Sequence, residues 1–298
     1  MQFTIPADVP RDKESVYCQR IETATRGSGK LFLFAGDQKV EHLNDDFYGP
    51  GIAEDDAHPE HLFRIASSAR IGAFATQLGL ISAFGRDYPR IPYVVKLNGK
   101  THLVSKEQKD PLSLAWYSVQ DVVNFQKESG LTVVGVGYTL YIGSEYETQM
   151  MREAASMCHA AHQHGLLAII WAYPRGKAVP DERSPKVIAG AAGVAAALGA
   201  DFAKINEPRV DGKAAPKMLK IAAQAAGRTK IICAGGAHTD AKEYLRTLSD
   251  QLTKGASQGT ALGRNIHQRP LKDAIAFCNA VYALVVEGKS VYDASSLL

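Results

Sequence analysis

The sequence predicts an α/β fold, a single (β/α)8 TIM barrel preceded by a short helical extension. Three observations lead there. Short apolar runs alternate with helix-like segments along the chain, and such alternation makes the strands parallel, each joined to the next by a crossover helix. Eight such units are present, and in about 260 residues they suit a closed barrel better than an open sheet. The first strand runs into Gly36-Asp37-Gln38, whereas an open dinucleotide-binding sheet carries its phosphate glycines there; here the paired glycines come last. Residues 1–30 read as the extension and 31–298 as the barrel.

The elements follow in order. Residues 12–25 are helix-like, ended by Arg26-Gly27-Ser28-Gly29-Lys30. LFLFAGDQ (31–38) is a buried strand entering a polar loop with Asn44, Asp45, Asp46, Gly49, Pro50 and Gly51. A helix over 58–72 has Pro59 in its first turn. A strand at 73–78, a short helix at 81–87 and a strand at 92–97 come next, and Asp110-Pro111 is read as the start of a helix reaching 127. After the strand at 131–141, Ser144 and Glu147 have the spacing of a capping box. Tyr146, Met150, Ala154, Cys158 and Ala161 then recur on one helical face. Strands at 166–174, 201–206, 230–236 and 259–265 alternate with helices at 185–198, 216–226, 239–254 and 270–286.

Composition narrows the class. The chain has 298 residues, 46% hydrophobic and 22% charged, an ordinary globular balance. A net charge of +3 argues against a nucleic-acid partner, which needs clustered Lys and Arg. No run approaches the roughly 18 apolar residues of a membrane span, and the N-terminus lacks a signal-peptide core. Cys18, Cys158, Cys233 and Cys278 are dispersed and read as buried free thiols, so a reducing, cytoplasmic setting is expected. No GxGxxG or Walker motif supports a nucleotide cofactor. His159, His162 and His164 lie on an outer helix without a third ligand, so no metal is expected there. His58 and His61 read as surface residues.

Chemistry is expected where the strands end, because barrel active sites are built there. The strand ends carry Asp37, Gln77, Lys96, Tyr138, Trp171 with Tyr173, Lys204, Gly235-Gly236 and Gly263-Arg264. Lys204, late in an apolar run, is placed to lose its proton and form an imine with a ketone. Its alternative is an ion pair with Glu207 or a barrel carboxylate. Lys96 is a candidate second cation, lowering the pKa of Lys204 or binding a substrate phosphate or hydroxyl. Asp37 is placed to take a hydroxyl proton, the alternative being a loop cap, and Tyr173 to move a proton at the enamine carbon. Trp171 shares a face with Tyr173 and walls the site. His42, in the same loop as Asp37, is a candidate substrate contact. The seventh and eighth loops, with Ala234, Gly235, Gly236, Gly263 and Arg264, read as a phosphate site whose backbone amides and helix N-termini face the anion.

These pieces resemble the archaeal-type (DhnA-type) class I fructose-bisphosphate aldolases, which also occur in bacteria. The resemblance rests on GDQKVEH (36–42), VVKLNG (94–99), VGYTLYIGSE (136–145), IIWAYPRG (169–176), GADFAKIN (199–206), AGGAHTD (234–240) and LGRNIHQ (262–268), in family order. It implies a lyase that reversibly cleaves fructose 1,6-bisphosphate to dihydroxyacetone phosphate and glyceraldehyde 3-phosphate, in glycolysis and gluconeogenesis. It places the Schiff-base lysine on Lys204, the catalytic tyrosine on Tyr173, the first-strand aspartate on Asp37 and the phosphate loops on Gly235, Gly236, Gly263 and Arg264. It implies a covalent imine without metal, and a homo-oligomer, decamers of two five-fold rings being frequent in the family. Lys39 replaces a common glycine, and Ala234 a usual serine, which removes one hydroxyl from the phosphate site. Alternatives are another Schiff-base aldolase or transaldolase-like enzyme acting on a different phosphorylated keto sugar, a non-catalytic phosphosugar-binding barrel, and a metal-dependent class II aldolase.

Overall fold

Apolar, β-branched and aromatic runs become eight parallel strands in the computed structural model, which describes residues 3–42, 46–103 and 110–298. Asn44 and Asp45 of the first loop lie outside the described residues. The strands are β1 (Leu31–Ala35), β2 (Ala73–Gln77), β3 (Tyr93–Lys96), β4 (Val133–Ile142), β5 (Leu167–Pro174), β6 (Phe202–Ile205), β7 (Lys230–Ala234) and β8 (Gly259–Leu262). Each pairs with the next, and β1 closes on β8 with Leu31 opposite Gly259 and Phe34 opposite Leu262. The result is a closed (β/α)8 barrel, as the alternation predicts. Such strands are buried on both faces, which is why they read as continuous apolar runs rather than alternating ones.

Alternation then divides each strand between two cores. Leu31, Leu33, Ala73, Ala75, Val94, Leu167, Ile169, Phe202 and Ile232 fill the inside of the barrel. Phe34, Phe74, Tyr93, Val136, Ile170, Ala203 and Leu262 pack outward in the layer that meets the helices. That layer includes the helices Glu60–Ser68, Glu147–Gln163, Pro185–Ala197, Ala241–Thr253 and Leu271–Val285.

The extension is built into the barrel floor. Its helix Glu14–Thr25 presents Tyr17, Ile21 and Ala24 to the inner core, with Val9, and Phe3 and Ile5 pack against the same cluster. The Tyr17 hydroxyl bonds Asp201, just ahead of β6. His162 bridges Asp8 (2.8 Å) and Asp201 (3.3 Å), so it is a buried structural histidine.

Local expectations are corrected in several places. The helix expected from Asp110 is Val119–Ser129, opened by a capping box between Ser118 and Asp121. Asp110 instead accepts the backbone N–H groups of Glu145 and Lys177 and pairs with the Lys177 ammonium at 2.9 Å. Ser144 and Glu147 form no capping box: the Ser144 hydroxyl donates to Pro111 O, and the Glu147 carboxylate accepts from Gly143 N. Tyr146 is exposed, while Met150, Ala154, Cys158 and Ala161 are buried. His61 is buried, its Nε2 3.0 Å from His267 O, because the helix that carries it packs on the loop after β8. Cys18 is exposed and the other three cysteines are buried; all four are free thiols.

Candidate active site

The C-terminal mouth of the barrel holds a cavity of about 180 Å³ walled by residues from every unit except the second. Ten of the eleven residues given a role from the sequence line it: Asp37, His42, Trp171, Tyr173, Lys204, Ala234, Gly235, Gly236, Gly263 and Arg264. The eleventh, Lys96, lies behind the wall.

Lys204 is the third residue of β6, opposite Trp171 of β5 and Ile232 of β7. Phe202 belongs to the inner core, so two-residue alternation turns Lys204 inward as well. It is 4% exposed, with Nζ 5.1 Å from the Trp171 ring. Burial lowers its pKa, Lys96 adds to the depression, and Asp37 opposes it. Among the described residues it forms no ion pair, with Glu207 or with a barrel carboxylate: Asp37 and Glu41 pair with Lys96 instead. An ammonium that is desolvated and unpaired readily becomes a nucleophilic amine.

Lys96 ends β3 and is fully buried. Its Nζ donates to Thr139 Oγ1 (2.7 Å) and Asn98 O (3.0 Å), and sits 3.7 Å from Asp37 and 3.8 Å from Glu41. Its donors are therefore occupied. The expectation that it contacts a substrate phosphate or hydroxyl is corrected: it is a fixed cation under the cavity, 5.1 Å from the Trp171 ring.

Asp37 begins the helical turn Gln38–Glu41, yet its side chain makes no capping bond. It is 2% exposed, and its Oδ1 is buried without a hydrogen-bond partner among the described residues. Gln77 holds it in place by donating Nε2 to the Asp37 carbonyl at 2.9 Å. Tyr173 lies two residues beyond Trp171, on the same face. Burial pushes its phenol well above the ordinary pKa, and Asp37 and Glu41 add to that, so it stays protonated and able to donate. Trp171 is 1% exposed, and its Nε1–H has no partner among the described residues. Its indole fits because Gly137 lies beneath it: a Cβ at 137 would stand 2.4 Å from the ring.

The two glycine loops meet on the far side. Asn265 ties them, accepting from Thr239 N (2.9 Å) and donating to Gly235 O (3.1 Å) and Ala237 O (2.8 Å). Gly235 spends its own N–H on Ala261 O at 3.0 Å, whereas Gly236, Gly263 and Arg264 have amides that bond no backbone carbonyl among the described residues. Gly236 has φ +71°, the left-handed region. At Gly263 the backbone comes so close to Gln38 that a Cβ would lie 2.2 Å from its amide nitrogen. The expected contribution of the helix after the seventh strand is corrected, since Asp240 already caps it by accepting from Lys242 N and Glu243 N. Arg264 rests 3.6 Å from Asp46, which also lies 3.5 Å from His42.

Sequence reasoning missed Gln38, Glu41, Tyr141, Arg175, Arg183 and Asn206, all on the cavity wall. It named Tyr138, whose hydroxyl points outward to Glu153 (2.8 Å). β4 runs on to Ile142, and Tyr141, opposite Tyr173, faces the mouth.

Comparison with known proteins agrees with this geometry. A family model described as DeoC/LacD family aldolase matches residues 31–269. The chain is 54% identical, over 97% of its length and 92% of the relative's, to the Methanocaldococcus jannaschii protein named fructose-bisphosphate aldolase/6-deoxy-5-ketofructose 1-phosphate synthase. It is 35% identical, over 88% of its length and 92% of the relative's, to the class 1 fructose-bisphosphate aldolase of Thermoproteus tenax. The fold superposes on a fructose-bisphosphate aldolase structure from Slackia heliotrinireducens with a TM-score of 0.96 and 47% identity, over 99% of this chain and 93% of that one. It matches an archaeal fructose-1,6-bisphosphate aldolase, solved with its catalytic Lys covalently bound to the carbinolamine intermediate, with a TM-score of 0.76 and 31% identity, over 91% of this chain and 99% of that one. The chain belongs to the DeoC/LacD aldolase family and, within it, to the class I fructose-bisphosphate aldolases, lyases that work through a lysine Schiff base without a metal.

Proposed function

We propose that the protein reversibly cleaves fructose 1,6-bisphosphate to dihydroxyacetone phosphate and glyceraldehyde 3-phosphate, serving glycolysis and gluconeogenesis. The observation that carries this reading is one cavity holding a buried Lys204 with no ion pair, together with the amides of Gly236, Gly263 and Arg264, which bond no backbone carbonyl among the described residues. Lys204 attacks the substrate ketone and water leaves, giving an iminium. Asp37 takes the proton of the hydroxyl on the carbon that departs, the C–C bond breaks, and its electron pair enters the iminium as an enamine. Tyr173 donates a proton to the enamine carbon, and hydrolysis frees the second product. A bisphosphate has two anionic ends. Arg175 and Arg183 on the same wall supply cations beyond Arg264, which supports two phosphates rather than one.

Borohydride reduction in the presence of dihydroxyacetone phosphate is expected to add the mass of the reduced adduct at Lys204, and Lys204→Met to abolish both the adduct and cleavage. A Lys204→Met protein with full activity ends the reading. Homo-oligomerisation belongs to the same proposal and is tested by light scattering.

A second reading has support in the name of the Methanocaldococcus jannaschii relative. Cutting 6-deoxy-5-ketofructose 1-phosphate between C3 and C4 gives dihydroxyacetone phosphate and a three-carbon oxo-aldehyde. The same lysine adduct serves both reactions, and only the aldehyde differs. Offering the trapped donor either aldehyde and weighing the products decides between them.

A further inference from the structure

The fold separates the places where the two ends of a bisphosphate can go. β6 lies between β7 and β5, so the glycine loops stand on one side of Lys204 and the loop after β5 on the other. A ketose whose ketone-end phosphate rests at Gly236 and Gly263 extends its aldehyde half toward the β5 loop. We infer that Arg183 in that loop is a specificity-determining residue: it binds the phosphate of the departing aldehyde and sets the preference for glyceraldehyde 3-phosphate over an uncharged aldehyde. The inference rests on the function proposed above and names the residue that reads the second phosphate.

Two arginines of this loop line the cavity, and they differ in what holds them. Arg175 has its Nε 3.3 Å from Glu182 and lies 5.6 Å from the Tyr141 ring, so its charge is already shared. The Arg183 guanidinium makes no hydrogen bond or ion pair among the described residues. Its backbone is what is fixed. Arg183 N donates to Asp181 Oδ1 at 2.9 Å, Arg183 O accepts from Arg209 N at 2.8 Å, and the next residue, Ser184, caps the helix Pro185–Ala197. The half-buried guanidinium is therefore held at the wall and left to bond a ligand. Burial and the charge of Arg209 weigh against its protonated form, and Glu207 and Glu182 offset them only in part, so an anion is the ligand that relieves it. A guanidinium binds phosphate through two parallel N–H bonds, and the uncharged end of glyceraldehyde gives it no such partner. Arg175, on the same wall, shares that phosphate, and Arg183 adds the charge that no carboxylate pairs.

The test compares two acceptors that differ only in the phosphate, glyceraldehyde 3-phosphate and glyceraldehyde, each condensed with dihydroxyacetone phosphate. Arg183→Gln is expected to lower kcat/KM for glyceraldehyde 3-phosphate by about 100-fold, chiefly through KM, as a bidentate charged contact is lost. The rate with glyceraldehyde and borohydride trapping of dihydroxyacetone phosphate should stay within threefold, and the melting temperature should hold. Arg183→Lys is expected to recover part of the preference, since it keeps the charge and loses the fork. Equal losses with both acceptors make Arg183 a scaffold residue and overturn the inference, as does a preference within threefold of wild type. The unaltered protein supplies an arm that no folding defect confounds: phenylglyoxal should label Arg183, glyceraldehyde 3-phosphate should block the label, and glyceraldehyde should leave it. Equal labelling under the two aldehydes overturns the role. A wild type that traps no dihydroxyacetone phosphate refutes instead the Schiff-base reading beneath it; one that traps it yet favours neither acceptor overturns this inference while the lysine chemistry stands.

Discussion

The two ends of the barrel hold similar side chains in opposite states. At the floor, Asp201 accepts from Tyr17, from Ala168 N at 2.8 Å and from His162 at 3.3 Å, while Asp8 accepts from His162 at 2.8 Å. At the mouth, Asp37 Oδ1, Gln38 Oε1 and Trp171 Nε1 are buried without hydrogen-bond partners among the described residues, and Glu41 Oε1 has only the Lys96 ammonium at 3.8 Å. Leaving such a group unpaired costs about 1–3 kcal/mol. The floor avoids that cost by closing its network, which fixes the extension to the strands. The mouth retains it, as sites that bind ligands commonly do. Both ends are polar; the network around Asp201 closes on itself, while these atoms at the mouth do not.

That contrast can be broken by experiment. Tyr173→Phe is expected to lower cleavage by about 1000-fold, the range of a lost acid–base group, with the urea midpoint unchanged, since the phenol donates to no protein group among the described residues. A large stability loss would make Tyr173 part of the scaffold. Asp201→Asn should do the reverse, costing about 3 kcal/mol of stability by breaking a buried charged network while kcat stays within threefold; denaturant melts and a coupled assay read both. The smallest effect sharpens the picture of the floor. Burial alone lowers the His162 pKa, but the hydrogen bonds and charges of Asp201 and Asp8 outweigh it and raise it. A raised folded-state pKa stabilises fully below the unfolded value of about 6.5 and is lost as pH rises through the folded one, a change of about 1.4 kcal/mol for each tenfold gain in proton affinity on folding. Urea melts across that window should show the loss, and His162→Gln should flatten it.

The barrel was legible in the sequence because parallel strands buried on both faces leave unbroken apolar runs, and each of the eight was recognisable within a few residues. The site was legible wherever a strand ended in a titratable group. What escaped were facts of parity and of turns. Tyr138 and Tyr141 differ only in which face of β4 they occupy, and the end of the strand at Ile142 was not marked. Glu41 is invisible until the residues after Asp37 are known to make one helical turn; the i, i+4 spacing inside GDQKVEH was the available signal. Lys96 looked like a ligand because its saturation by Thr139 and Asn98 is a tertiary fact. The helix at Val119 was displaced from Asp110 because Ser118 and Asp121 supplied the stronger start.

The absence of a side chain at 137 has a consequence for reshaping the specificity of this enzyme. The indole at 171 occupies the space a methyl group would need, so Gly137→Ala alone drives an atom into the ring, and a smaller residue at 171 alone opens a void in the wall. A library that varies one position at a time passes over every solution in which both change. Paired randomisation of 137 and 171 is the shorter route to barrels that accept bulkier ketones.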